Sequence, residues 1–195
     1  MIDFIYITSY NKLGGDIMKK IEIIELINTA VKSKEMCSIF FKYNYHYSYH
    51  FPLKTSEKLF LSANEDDFII NGFSVRRFCD IKKVEIKDDK CVEIIKCEGV
   101  LDNIKVPEIN ITDWYNTFLS LSKLNIYIIV EKESQDDDEC EFAIGKIVKV
   151  LKTKVIFKDF DADGVWQEDY YEIPYSQITS VTFASRYVDV FSKYV

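Results

Sequence analysis

The chain has 195 residues, 48% of them hydrophobic and 29% charged, with a formal net charge of −7. That apolar fraction excludes a chain disordered throughout, and the length allows one domain or two small ones whose core needs no disulfide or metal staple. No stretch reaches the roughly 18 apolar residues of a membrane span. An acidic balance with only three arginines, Arg76, Arg77 and Arg186, disfavours nucleic acid as the partner.

Alanine occurs five times, while Ile, Tyr, Phe and Lys are abundant. The best helix former is scarce and β-branched and aromatic residues are plentiful, so a mainly β (α+β) chain is expected. Five cysteines without a CxxC pair, and a beginning that carries Asp3 and no basic segment, point to reduced thiols in the cytoplasm. Residues 1–17 are expected to be an extension outside the fold, either disordered or not translated. Gly14-Gly15-Asp16, encodable as GGA-GGT-GAT, would read as a ribosome-binding site ahead of Met18.

From Lys19 onward Ile23, Ile24, Ile27 and Val31 recur at helical spacing up to Lys34. The period then becomes two: Tyr43, Tyr45, Tyr47, Tyr49 and Phe51 occupy every odd position of one expected strand, which Pro52 ends. Lys58–Ala63 and Phe68–Ile70 read as strands, the latter entering a tight turn at Asn71-Gly72. Ser74–Lys87 and Lys90–Cys97 read as further strands. A helix is expected over Asp113–Leu124, with Thr112 as cap, Trp114, Phe118 and Leu121 on one face, and Asn125 closing it. Strands follow at Ile126–Val130, Phe142–Leu151, Lys154–Phe160, Asp169–Ile173, Ile178–Phe183 and Tyr187–Ser192. Between the first two of these lies an acidic loop, 131–141, with seven carboxylates against Lys132.

The two halves match at an offset of 97: Phe73 with Tyr170, Phe78 with Tyr175, Ile81 with Ile178, Val84 with Val181 and Ile86 with Phe183. The spacing suggests duplication of a small domain, with residues 18–111 and 112–195 as units and Trp114 and Phe118 at their interface. A helix followed by short bent strands, ending in Ile178–Phe183, the break Ala184-Ser185-Arg186 and Tyr187–Ser192, resembles the Sm-like small β-barrel family. The second half is also similar to uncharacterised bacterial proteins with Gly145-Lys146, an Asp161–Trp166 turn and an Ile173–Ile178 segment. The resemblance implies two tandem Sm-like β-barrel domains, each preceded by a helix, and brings no established activity.

Asp159, Asp161 and Asp163 match the opening of an EF-hand loop, but its twelfth position is Tyr170, so a hairpin turn is the expected reading and no metal or cofactor is expected. His46 and His50, the only histidines, would lie roughly 13 Å apart on a strand and cannot chelate one ion alone. No nucleophile elbow or phosphate-cradling glycine loop occurs, and no catalytic residue is marked. The leading expectation is a non-catalytic interaction module that binds another protein, through the aromatic face or the acidic loop. An Sm-like RNA-binding regulator using Tyr43, Tyr45, Tyr47, Tyr49, Arg76 and Arg77 is the alternative, and a small-molecule site between the two barrels is the third.

Overall fold

The computed structural model describes residues 17–44 and 46–195. Expectations that concern residues 1–16 or Tyr45 lie outside the described residues. The first half runs α1 (Lys20–Ser33), β1 (Cys37–Phe41), β2 (Tyr47–Thr55), β3 (Leu59–Asp66), β4 (Ile69–Arg77), β5 (Ile81–Ile86) and α2 (Lys90–Cys97). The second runs α3 (Trp114–Leu124), β6 (Ile128–Lys132), β7 (Glu141–Val150), β8 (Lys154–Phe160), β9 (Tyr171–Pro174), β10 (Ser180–Phe183) and α4 (Arg186–Phe191). The chain is therefore mainly β, with one helix before and one helix after the five strands of each half.

Among the described residues, ten strands form one antiparallel sheet in the order β5-β1-β2-β3-β4-β10-β6-β7-β8-β9. Each half places its own fifth strand beside its first, β5 on β1 and β10 on β6. The offset seen in the sequence carries residues 73–77 of the fourth strand onto 170–174, and 83–86 of the fifth onto 180–183. Both halves also bend their long second strand at a register slip, between Pro52 and Lys54 in β2 and between Ile147 and Lys149 in β7.

The halves are joined by β4 and β10, with Val75 opposite Val181 and Phe73 opposite Phe183. The two phenylalanine rings stack at 5.7 Å. Two separate barrels were expected; the sheet is instead continuous and open, with β5 and β9 as its edges, because the fourth strand of one half finds its neighbour in the fifth strand of the other. At the β5 edge the Met18 amide donates to the Lys82 carbonyl at 3.1 Å.

The largest core draws on both halves. Leu59, Leu61 and Val75 pack with Val130, Phe157 and Val181 around Trp114, Phe118 and Leu121 of α3. A second core lies under α1, where Ile23, Ile27 and Ala30 meet Ile39, Phe60 and Phe78. A third lies under α2, where Val92 and Ile95 cover Phe51, Ala63 and Met36.

Several sequence expectations are corrected. The aromatic run is not one strand: residues 42–44 lie outside the sheet and β2 starts only at Tyr47. Pro52 lies inside β2, tolerated where the register slips. Lys90–Cys97 is a helix, because the Asp89 carboxylate accepts from the Cys91 and Val92 amides and buries Val92 and Ile95 at a spacing of three. Residues 187–191 belong to a short terminal helix rather than a strand, with Ser192 just past its end: Ser185 caps it and Val188 is its buried anchor. The cap of α3 is Asp113, which accepts from the Asn116 amide, while the Thr112 hydroxyl donates to Asn110. Asn125 closes that helix at φ 50° as expected.

Candidate functional site

The residues singled out by the sequence fall in different places. The Tyr43 hydroxyl donates to Asp80 at 3.1 Å. Tyr47 and Tyr49 stand beside Phe40 in a tilted row with centroid spacings of 5.2 Å. Phe51, at the far end of the row, is buried. Lys83 and Lys87 lie over Phe40 and Tyr49, but each is paired with a carboxylate, Glu85 and Asp89. Among its described residues the strip therefore carries little net charge and offers fewer exposed rings than the alternation implies.

Neither arginine presents a free fork. Arg76 binds both oxygens of Glu133, with its nearest contact at 3.0 Å, and lies 4.2 Å from the centre of the Phe41 ring. Arg77 is held by Asp80 and donates to the Ser176 carbonyl at 3.2 Å. Glu133 thus leaves the acidic loop to pair with β4, and Glu131 and Glu141 lie in strands, so the loop is shorter than residues 131–141. Asp161 Oδ1 accepts from the Asp163 and Val165 amides, which is turn chemistry, while Asp159 lies within β8, which ends at Phe160. Among the described residues no group of three His, Cys, Asp or Glu side chains is placed to hold a metal ion.

His46 is exposed, whereas His50 is buried in a hydroxyl network. Its ring nitrogens meet Ser48 Oγ at 2.8 Å and Ser62 Oγ at 3.0 Å, and Ser62 continues to Ser74 and Asn64. Burial, reinforced by the Arg76 charge, holds its pKa down at about 3, so the ring is neutral. Trp114 and Phe118 sit in the core shared by the two halves, and Trp114 also lines a cavity between them.

The most unusual local geometry is one the sequence did not mark. The β3–β4 hairpin turns at Asp67 and Phe68, with φ 48° and 66°, between the paired residues Asp66 and Ile69. Two successive left-handed residues are what a two-residue hairpin demands, and Asn-Gly or Asp-Gly is the usual solution. Here the second position is phenylalanine. The expected turn at Asn71-Gly72 lies inside β4 instead, where Gly72 has φ 79°.

Phe68 is 41% exposed and Ile69 51%. Glu65 accepts from the Phe68 amide at 2.8 Å, and Asp66 accepts from the Asn71 side chain at 3.0 Å, so carboxylates brace the turn from below. Burial lifts the Glu65 carboxyl above the usual carboxylate range; the bond from Phe68 opposes this and the charges of Asp66 and Asp67 add to it. Beside the tip lies a cavity of about 540 Å³ lined by Ile69, Phe73, Val100 and Ile104 together with Glu98 and Lys105. A motif search misses this site because it looks for glycine at the turn, and here glycine is absent from it.

Comparison with protein-family models, with curated proteins and with solved structures finds no match. The reading of function therefore rests on the geometry of this chain.

Proposed function

We propose that the chain is a non-catalytic module that docks onto another protein, with the β3–β4 hairpin tip as its anchor. The observation that carries this reading is Phe68. An L-residue in the left-handed region costs roughly 1–2 kcal/mol, and glycine would avoid the cost at an exposed position. A bulky aromatic held there, next to exposed Ile69, has the character of an interface anchor, since buried aromatic residues dominate binding energy in protein interfaces. Glu65, Asp66 and Asp67 ring the tip, so the fitting partner presents an apolar pocket rimmed by Lys or Arg.

The repeated order of a helix and five strands supports reading the halves as tandem Sm-like units. Five free cysteines support a reducing compartment, the cytoplasm. RNA binding has weaker support, because the cations beside Tyr47 and Tyr49 are paired with acids.

Site-specific photo-crosslinking in the native host tests the docking reading. A crosslinker at position 69 is expected to capture one protein that a crosslinker at exposed Lys123 does not. The purified partner should then bind the Phe68→Gly variant at least about tenfold more weakly, the loss expected of one interface anchor. Equal capture at both positions, or unchanged affinity of Phe68→Gly, would overturn the reading.

A further inference from the structure

The cavity between the two halves points to a second partner, independent of the hairpin tip. It measures about 550 Å³, within the range of small-molecule sites. Its wall is aromatic: Trp114 and Tyr115 from the first turn of α3, and Tyr175 from the segment after β9. Tyr175 is fixed on two sides. Its ring stacks on Phe118 with centroids 5.7 Å apart and planes 13° from parallel, and its hydroxyl donates to the Leu151 carbonyl at 2.7 Å.

The rim is cationic. Lys20 from the start of α1, Lys58 from the turn before β3, and Lys152 from the turn between β7 and β8 all line it. Among the described residues none of the three has a carboxylate partner, unlike the lysines beside the aromatic strip. Arg77 also lines the cavity but is neutralised by Asp80. The one lining carboxylate, Asp113, is engaged in capping α3, where its Oδ1 accepts from the Asn116 amide at 2.8 Å. In a chain with net charge −7, three unpaired lysines from three distant segments around one aromatic wall reverse the prevailing sign.

We propose that this cavity binds a phosphorylated aromatic compound of the nucleotide type, its ring against the Trp114–Tyr175 wall and its phosphate among Lys20, Lys58 and Lys152. Flat rings gain by stacking on aromatic side chains, and lysines serve phosphate as point charges on mobile stems. The same chemistry is offered by a free mononucleotide and by the 5′ end of a single strand.

The chain has two tryptophans, so a Trp166→Phe variant leaves Trp114 as the sole indole reporter. Its emission is titrated with AMP, GMP, CMP and UMP, with adenosine, with inorganic phosphate, and with a 5′-phosphorylated oligonucleotide. Calorimetric titration of the unmodified protein repeats the measurement should that variant fold poorly. At least one mononucleotide is expected to saturate the signal below about 1 mM, with the matching nucleoside at least about tenfold weaker. A Lys58→Glu/Lys152→Glu variant should lose at least about tenfold in affinity at unchanged thermal stability, since both side chains are exposed. Much tighter binding of the oligonucleotide would assign the source to a strand end, and equal binding to the free nucleotide. The proposal is overturned if no nucleotide or oligonucleotide saturates the signal, if phosphate alone binds as well, or if the double variant binds unchanged.

Discussion

Glycine stands at position 72 because the backbone of β4 passes too close to the turn after β10 for any side chain. A Cβ there would lie 2.6 Å from the Ser185 amide nitrogen and 2.7 Å from the Phe183 carbonyl oxygen, at φ 79°. Gly72→Ala is therefore expected to cost more than about 1 kcal/mol, read as a lower urea midpoint at unchanged slope. Phe68 has the opposite sign: Phe68→Gly relieves the left-handed turn and should add about 1 kcal/mol, which for a chain of this size raises Tm by roughly 2–4 °C. One residue yields to the fold and the other is kept against it. His50 sets a third expectation. Its pKa is depressed to about 3 in the folded chain against about 6.5 unfolded, so the unfolded state binds the extra proton between those values. The stability from the neutral ring is present in full above pH 6.5 and falls as the pH drops through that window, by up to about 1.4 kcal/mol per unit. Between pH 6.5 and 5, above the carboxylate range, a His50→Gln variant should show a flatter stability profile than the parent.

Most of the elements were legible wherever one signal dominated. The spacing of Ile23, Ile24, Ile27 and Val31 marks α1, and that of Trp114, Phe118 and Leu121 marks α3, because each helix presents an apolar stripe to one core, where Ile23 and Ile27 are the buried members of the first set. The strands of the second half emerge from β-branched runs bounded by turn residues. Lys90–Cys97 misled because Ile and Val sit in a short amphipathic helix as readily as in a strand; Asp89 was the signal that could have decided it. The Tyr43–Phe51 alternation misled in the other direction, since a perfect period of two extends beyond the residues that pair, and pairing is fixed by β1 and β3 rather than by the pattern. The hairpin tip and the residues that line the junction cavity stayed hidden for different reasons. A strained φ is a property of the folded backbone, and the cavity gathers Lys20, Lys58 and Lys152 from segments with no sequence relation to one another.

At the scale of the molecule the two halves share too much to unfold separately. Leu59, Leu61 and Val75 are covered by residues of the second half, and β4 completes its hydrogen bonding on β10. A single calorimetric transition with equal van't Hoff and calorimetric enthalpies is expected; two resolved transitions would contradict the shared core. Among the described residues, both edges of the continuous sheet carry features that hinder an added strand. Met18 occupies the Lys82 carbonyl on β5. On β9, Tyr175 donates inward to Thr153, so strand alternation turns the Glu172 and Pro174 amides outward, and the second of these has no hydrogen to give. Short length, a charge and a proline are the means by which exposed strands refuse templated growth into fibrils. The continuous ribbon of described strands thus ends on both sides in an interrupted edge, the arrangement that opposes edge-to-edge growth.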